Sequence, residues 1–153
     1  MRHAEALDGT DDDARPLSQR GGRQAREIAR FLKDAGIAFD AAYASPLVRA
    51  RETAEAVLKV CGEILPEELQ LTDALLIESS RRDFEGWLRC LPDAEHGLIV
   101  GHAPTLADRV RSLLSLAHPE SFRLPKAGLA CVETDDRCTG VLKFFITPKL
   151  LKV

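Results

Sequence analysis

The sequence predicts an α/β fold of three layers, in which a mostly parallel sheet carries helices on both faces and ends in an antiparallel C-terminal hairpin. Two observations support this prediction. Short apolar runs typical of buried strands alternate with segments whose apolar residues recur at helical spacing. The last two apolar runs are separated only by a polar, turn-like stretch at 135–140, which is typical of a hairpin. Strands that alternate with helices of this length usually pair in parallel, because each helix returns the chain to the same end of the sheet.

The first predicted helix follows a polar loop at 7–16. Ser18 is a suitable N-cap, because a serine hydroxyl accepts a hydrogen bond from a free N–H of the first turn. Gly36 stands where the C-terminal cap belongs. Between these positions, apolar residues recur at helical spacing: Ala25, Ile28, Leu32 and Ala35.

The second predicted helix follows a short buried strand at 40–44. This strand ends at Ser45 and Pro46, so we expect serine as the N-cap and proline as the first helical residue. The helix is expected to end at Gly62. Its apolar face contains Leu47, Ala50, Ala54, Val57, Leu58 and Cys61.

The second half of the chain continues the alternation. The strand predicted at 69–76 is the least regular, because polar residues interrupt it. The remaining predictions are a helix capped by Ser80 and stopped by Pro92, a buried strand at 97–101, a helix capped by Thr105, and strands at 129–133 and 141–146.

Length and composition exclude several classes of protein. The chain has 153 residues, of which 45% are hydrophobic and 29% charged, so we expect one globular domain over residues 1–153. The net charge of -3 argues against a general nucleic-acid binder. No apolar run approaches the roughly 18 residues of a membrane span, and no signal sequence is recognisable. The four cysteines form no C-x-x-C pair. We therefore expect a cytoplasmic protein with reduced thiols that binds neither nucleic acid nor membranes.

Three polar clusters are predicted at the carboxyl ends of strands. Arg2 and His3 stand at the start of the chain, Ser45 and Arg49 follow the strand at 40–44, and His102 follows the strand at 97–101. Ligands of open α/β sheets bind beyond these strand ends, so we expect the clusters to meet. The planar fork of arginine matches phosphate oxygens, and helix N-termini favour anions. The clusters contain no ligand set for a metal, and the chain has no Walker-type glycine loop. The sequence therefore predicts a phosphoryl-binding site without a metal or cofactor.

These residues stand in blocks that resemble the histidine phosphatase superfamily, the phosphoglycerate mutase-like proteins, and in particular the small bacterial SixA-type phosphohistidine phosphatases. The blocks follow in order over almost the whole chain. They are Arg2-His3-Ala4, similar to the R-H-G motif in its R-H-A variant; Arg15-Pro16-Leu17-Ser18; the run from Ser45 to Ala54, similar to S-P-L-x-R-A-x-x-T-A; and the run from Val100 to Leu106, similar to V-G-H-x-P.

The resemblance implies a metal-independent phosphatase that hydrolyses a phosphoryl group carried by a phosphohistidine-bearing protein, such as a phosphorelay component. His3 would attack phosphorus and form a transient phosphohistidine. Arg2 and Arg49 would hold the non-bridging oxygens, and His102 would donate a further hydrogen bond. The flanking arginines are expected to lower the pKa of His3 and keep it neutral near pH 7.

Three further assignments remain open at this stage. Arg15 is a candidate phosphate contact, but a salt bridge to the aspartates at 11–13 explains it equally well. Ser45 serves as an N-cap, as a phosphate contact, or as both. Glu78 is a candidate proton donor to the leaving group, with Glu5 and Glu85 as more distant candidates.

Two other functions remain open as well. The first is that of a phosphatase for small phosphoesters, and the second is that of a non-catalytic module that binds phosphate or a partner.

The start of the sequence departs from the family pattern in two ways. Relatives place an apolar central strand directly before the R-H pair, whereas only Met1 precedes Arg2 here. We expect this first strand to be truncated. Either the true start lies about five or six residues upstream, a typical strand length, or the sheet is rearranged around a gap. Ala4 also replaces the motif glycine, and it is strained if that position requires a positive φ.

Overall fold

The chain alternates strands and helices along its length, as the sequence predicts. A computed structural model describes all residues from 1 to 153. Its helices are α1 (Gln19–Asp34), α2 (Val48–Cys61), α3 (Arg81–Arg89) and α4 (Thr105–Leu113), and its strands are β1 (Ala41–Ala44), β2 (Gln70–Leu71), β3 (Gly97–Val100), β4 (Leu129–Glu133) and β5 (Val141–Ile146). None of the helices combines the length and the apolar composition that crossing a bilayer requires.

The strands form a parallel sheet and an antiparallel hairpin. In the sheet, β1 lies between β2 and β3, and both neighbours run parallel to it. Tyr43 of β1 marks the register, because it pairs with Gln70 on one side and with Ile99 on the other. The hairpin joins β4 to β5 with a bulge between Cys131 and Val132. Both hairpin strands have the predicted bounds.

Helices cover both faces of the sheet, because side chains of β1 and β3 alternate between two apolar cores. The first core joins α1 and α2 to one face of the strands; its strand residues are Ala42, Ala44, Leu98 and Val100. The second core joins α3 and α4 to the other face, which includes Tyr43 and Ile99. The predicted three-layer arrangement is thus confirmed.

The segment Met1–His3 connects the parallel sheet to the hairpin. Arg2 forms a single parallel bridge with Gly101, and its N–H donates to the Gly128 carbonyl oxygen at 3.0 Å. The Met1 amine donates to the carbonyl of Ile99 at 2.7 Å. The neighbours of β3 are therefore β1 and this segment, and the sheet is not rearranged. Beside Met1, between β3 and β4, lies a mostly apolar cavity of about 200 Å³.

Several predicted helix ends are confirmed. The Ser18 hydroxyl accepts a hydrogen bond from the Gly21 N–H at 3.0 Å, and the Ser80 hydroxyl caps α3 in the same way. Gly36 follows the end of α1 with a φ of +77°, a conformation that glycine adopts without strain. Gly21 also packs closely on the segment after His3, because a Cβ at this position would lie 1.9 Å from the Glu5 carbonyl oxygen.

Two predicted helix starts are wrong. The helix α2 begins at Val48 with Leu47 as its N-cap, so Ser45 and Pro46 belong to the turn before it. The serine hydroxyl hydrogen-bonds instead to a histidine of the site described below. The N-cap of α4 is Pro104, and Thr105 lies inside the helix, where its hydroxyl donates to a neighbouring loop.

The strand predicted at 69–76 is largely wrong. Only Gln70 and Leu71 pair with β1. The chain then turns into a short 3₁₀ helix at Asp73–Leu75, because the Thr72 hydroxyl accepts a hydrogen bond from the Ala74 N–H and caps the turn.

Candidate active site

His3 lies buried beside His102 where the Met1–His3 segment and β3 end. The ring centroids are 5.1 Å apart, and His3 is only 8% exposed. The backbone of His3 is held from two sides: its N–H donates to the Gly101 carbonyl at 2.9 Å, and its carbonyl accepts from the Ala127 N–H at 3.1 Å. These hydrogen bonds thus fix the backbone from which the ring extends.

The hydrogen bond of the His3 ring defines its tautomer. Nδ1 lies 2.7 Å from the Ala4 carbonyl oxygen. A carbonyl oxygen only accepts hydrogen bonds, so Nδ1 carries the proton. In the neutral ring, the lone pair is therefore on Nε2, and this nitrogen is the nucleophilic one. Ala4 does not adopt a positive φ, so its replacement of glycine causes no backbone strain.

Burial keeps His3 neutral. Burial is the largest of the causes that together lower the pKa of the imidazole to about 4. The nearby charges of Arg49, Arg2 and Lys126 act in the same direction, whereas the hydrogen bond to Ala4 opposes the shift. At pH 7 the ring is therefore deprotonated at Nε2. Burial also lowers the pKa of the Arg2 guanidinium, although an arginine remains charged at neutral pH.

His102 is 2% exposed and is held by Ser45. The Ser45 hydroxyl lies 2.8 Å from His102 Nε2 and also accepts from the Leu47 N–H at 3.3 Å. Burial is the main cause that lowers the pKa of His102 to about 3, followed by the nearby His3 and Arg49. Its other ring nitrogen, Nδ1, is buried and has no hydrogen-bond partner. A buried polar atom without a partner is costly, and a ligand oxygen would satisfy it.

Arg49 and Arg2 supply positive charge to the site. Arg49 lies in the first turn of α2 and is 3% exposed. The Arg2 Nη1 donates to the Leu124 carbonyl at 3.1 Å, whereas its buried Nε has no partner. Thr53 connects α2 to the histidine loop, because its hydroxyl accepts from the Ala4 N–H at 3.0 Å and donates to the Arg49 carbonyl at 2.6 Å. No group of three or more His, Cys, Asp or Glu side chains is arranged to hold a metal ion.

Arg15 contacts carboxylates. Its Nη1 lies 2.9 Å from Asp12 Oδ1, its Nη2 lies 3.3 Å from Asp8 Oδ1, and its Nε donates to the Leu7 carbonyl at 2.7 Å. The salt bridge expected to the aspartates at 11–13 is thus present, at Asp12.

The candidate proton donors are not joined to His3. Glu78 is exposed and makes no hydrogen bond or ion pair, although α4 holds the carbonyls on either side of it through Thr105 and Arg109. Glu5 contacts Ser18 and Arg20, and Glu85 pairs with Arg81.

The sequence does not identify three residues as parts of this site: Asp12, Thr53 and Lys126. Thr53 stands four residues after Arg49 within a recognised block, so helical spacing placed it on the same face as Arg49. Asp12 lies in the polar loop at 7–16, and nothing in the sequence distinguishes it from Asp11 or Asp13.

The buried histidines predict a loss of stability in acid. Their pKa values lie below the ordinary 6.5, so between pH 6.5 and about 4 the unfolded chain binds protons that the folded chain does not. We expect the free energy of unfolding to fall over this range, with His3 contributing on the order of 2–3 kcal/mol. Denaturant titration at several pH values measures this slope.

Substitution of a buried histidine tests how much of this pH dependence of the free energy of unfolding comes from the buried rings. His102→Asn should make the acid slope shallower, and His118→Asn, which removes an exposed histidine, should not. Identical slopes in the wild type and His102→Asn would show that the buried ring does not cause the acid sensitivity.

Comparisons with known proteins give one consistent family. Residues 1–89 match the histidine phosphatase superfamily, branch 1. The phosphohistidine phosphatase SixA of Escherichia coli K12 is 28% identical, over 100% of this chain and 94% of the relative. A structure of the protein histidine phosphatase SixA complexed with tungstate superposes with a TM-score of 0.86 at 26% identity, covering 99% of this chain and 96% of that chain. The mitochondrial serine/threonine-protein phosphatase Pgam5 of Drosophila melanogaster is 43% identical, over 67% of this chain and 45% of the relative.

Proposed function

Because the chain belongs to the histidine phosphatase superfamily, we propose that it is a phosphohistidine phosphatase, which transfers a phosphoryl group from a phosphohistidine-bearing protein to His3 and then to water. One observation carries this proposal: the neutral His3 ring donates Nδ1–H to the Ala4 carbonyl and keeps its Nε2 lone pair, beside the charges of Arg2 and the buried Arg49. The similarity to phosphohistidine phosphatases over the full length supports the substrate class.

The first step is a displacement at phosphorus. His3 Nε2 forms a bond to phosphorus while the bond from phosphorus to the substrate nitrogen breaks. The electron pair of the broken bond leaves with the substrate imidazole, which takes up a proton from solvent. His3 becomes positively charged in this step. The Ala4 carbonyl stabilises that charge, because it accepts the Nδ1–H bond throughout.

The second step returns the enzyme to its starting state. A water oxygen attacks the phosphorus of phospho-His3, and the bond from phosphorus to Nε2 breaks, with its electron pair returning to the nitrogen. The phosphoryl group leaves with the water oxygen and both water protons as dihydrogen phosphate, which exchanges protons with solvent, and His3 is again neutral. Two smaller barriers thereby replace one larger barrier.

Three side chains balance the negative charge of the phosphoryl group in both steps. Arg2 and Arg49 supply cationic donors, and the partnerless Arg2 Nε is one of them. If the Ser45 hydroxyl donates to His102 Nε2, the proton of the neutral His102 ring is on Nδ1, which then donates to a phosphoryl oxygen. Phosphoryl transfer depends mainly on such positioning and charge, so we propose that it proceeds without a metal.

The surroundings of the site favour a phosphoramidate over a phosphoester. An alkoxide leaving group needs a proton donor, and neither Glu78, Glu5 nor Glu85 contacts His3. A phosphohistidine needs less help, because its imidazole leaves readily once a ring nitrogen is protonated. A second candidate is hydrolysis of protein phosphoesters, which the similarity to the serine/threonine-protein phosphatase Pgam5 favours.

A substrate comparison tests the proposal. In the presence of a chelator, we expect the wild type to dephosphorylate a phosphohistidine-bearing protein with a kcat/KM at least about tenfold above that for a phosphoserine protein or a small phosphoester. Loss of phosphate from each substrate is followed directly. A preference for phosphoesters would overturn the substrate class, and phosphate binding without any turnover would identify a binding module.

A further inference from the structure

Asp12 binds the guanidinium of Arg49 through two different groups. Arg49 Nη1 donates to the Asp12 backbone carbonyl at 2.5 Å, and Nη2 lies 2.9 Å from Asp12 Oδ2. No other carboxylate pairs with Arg49. The two ends differ in exposure, since 4% of the arginine side chain and 57% of the aspartate side chain are accessible. A buried arginine of the site is thus oriented by a residue of the surface loop.

Arg15 in turn holds Asp12. Its Nη1 lies 2.9 Å from Asp12 Oδ1, the oxygen that Arg49 does not use. Arg15 is itself fixed at two further points by Leu7 and Asp8. Each carboxylate oxygen of Asp12 therefore has its own arginine partner, and the three side chains form a row from the loop to the site.

We propose that Asp12 is a positioning residue, which holds Arg49 in the orientation that binds the phosphoryl group, and that Arg15 acts on the reaction only through Asp12. The effect on catalysis rests on the proposed function, whereas the effect on phosphate binding does not.

The geometry allows Asp12 and a phosphoryl group to bind Arg49 together. A guanidinium has five N–H donors, and Asp12 occupies one on each terminal nitrogen. Three N–H bonds remain for phosphoryl oxygens. Holding one edge of the guanidinium removes rotamers that would turn the other edge away, so less entropy is lost when the anion binds.

The Asp12 carboxylate is negatively charged at neutral pH, as the proposed ion pair with Arg49 requires. Hydrogen bonds from Arg15 and then from Arg49 keep the pKa of the Asp12 carboxyl below its ordinary value, so it is ionised at neutral pH. The opposite reading is that this carboxylate competes with the phosphoryl group for Arg49. Removal of the carboxylate weakens phosphate binding if Asp12 positions Arg49, and strengthens phosphate binding if Asp12 competes with the phosphoryl group.

Isothermal titration calorimetry with inorganic phosphate, on the wild type and on Asp12→Ala, shows whether removing the carboxylate weakens or strengthens phosphate binding. We expect the Kd for phosphate to rise about tenfold, and kcat on the phosphorylated substrate to fall by about tenfold or more, because Arg49 loses its carboxylate contact and is held only by the backbone carbonyl of residue 12. Asp13→Ala is the matched control, since Asp13 is an exposed neighbour whose carboxylate makes no ion pair; it should leave both values unchanged. Asp12→Asn, which keeps the loop packing, should show the same direction as Asp12→Ala.

A double-mutant cycle tests the role of Arg15. If Arg15 acts through Asp12, Arg15→Met should weaken phosphate binding in the wild type but have no further effect in Asp12→Ala. Effects that multiply would overturn this part, because they would mean that Arg15 contacts the phosphoryl group itself. Unchanged or tighter phosphate binding in Asp12→Ala would overturn the positioning role. An inactive wild type with weakened phosphate binding in Asp12→Ala would reject the proposed function alone.

Discussion

We expect His3→Ala to lower kcat by at least about 10³-fold, because the variant has no atom that can accept the phosphoryl group. Water attack on the bound substrate, aided by Arg2, Arg49 and His102, is the only activity left to it. Binding of inorganic phosphate should persist within severalfold, since these three side chains remain. Steady-state rates and calorimetry on the same preparation separate the two effects.

Two further variants make the His3 result specific. His3→Asn keeps polarity at the buried position and should be as inactive as His3→Ala, whereas His118→Ala removes an exposed histidine and should keep full activity. Circular dichroism and thermal melting establish that each variant is folded. Turnover within tenfold of the wild type in a folded His3→Ala would exclude His3 as the nucleophile.

Arg49→Lys should lower kcat/KM by about 10²-fold or more, although the positive charge is kept. A guanidinium binds Asp12 with one edge and presents further N–H bonds to the phosphoryl group, and a lysine ammonium has neither the planar fork nor the reach to do both. Loss of the fork also leaves Oδ2 of the Asp12 carboxylate without its arginine partner, although Arg15 still holds Oδ1. We expect both a higher KM and a lower kcat.

Arg51→Lys is the matched control for Arg49→Lys. Arg51 lies in the same helix, is exposed, and pairs with Glu55 at 3.6 Å. This substitution should change kcat/KM by less than about twofold, because exposed ion pairs of this kind contribute little. Equal effects of the two substitutions would mean that Arg49 serves the stability of α2 and not the reaction.

The parts of the fold that depend on apolar patterning could be predicted from the sequence. The β4–β5 hairpin has the predicted bounds, since two apolar strands flank a turn-like run and leave few alternatives. The start of α2 was harder to predict, because the Ser45 hydroxyl can bond either to the first turn of the helix or to a distant side chain. This hydroxyl lies against His102, and this histidine is 57 residues away in the sequence. A local capping rule contains no information about that contact.

The candidate site likewise has features that the sequence predicts and contacts that it does not. Its cations and histidines stand at strand ends and in recognisable blocks, so their convergence was predictable. The tautomer of His3 could not be predicted, because it depends on the direction of the Ala4 carbonyl. The choice of Asp12 among neighbouring aspartates depends on the path of the loop past Arg49, which no spacing rule defines.

The covalent intermediate on His3 is the central claim, and rapid-quench mass spectrometry tests it most directly. Wild-type protein is mixed with a phosphohistidine-bearing protein, quenched in base within the first turnover, digested, and searched for modified peptides. We predict one acid-labile phosphoryl group on His3, which chases into inorganic phosphate at a rate at least equal to kcat and is absent from His3→Ala. Turnover with no phosphorylated enzyme at any quench time, or with the phosphoryl group on His102, would contradict the account.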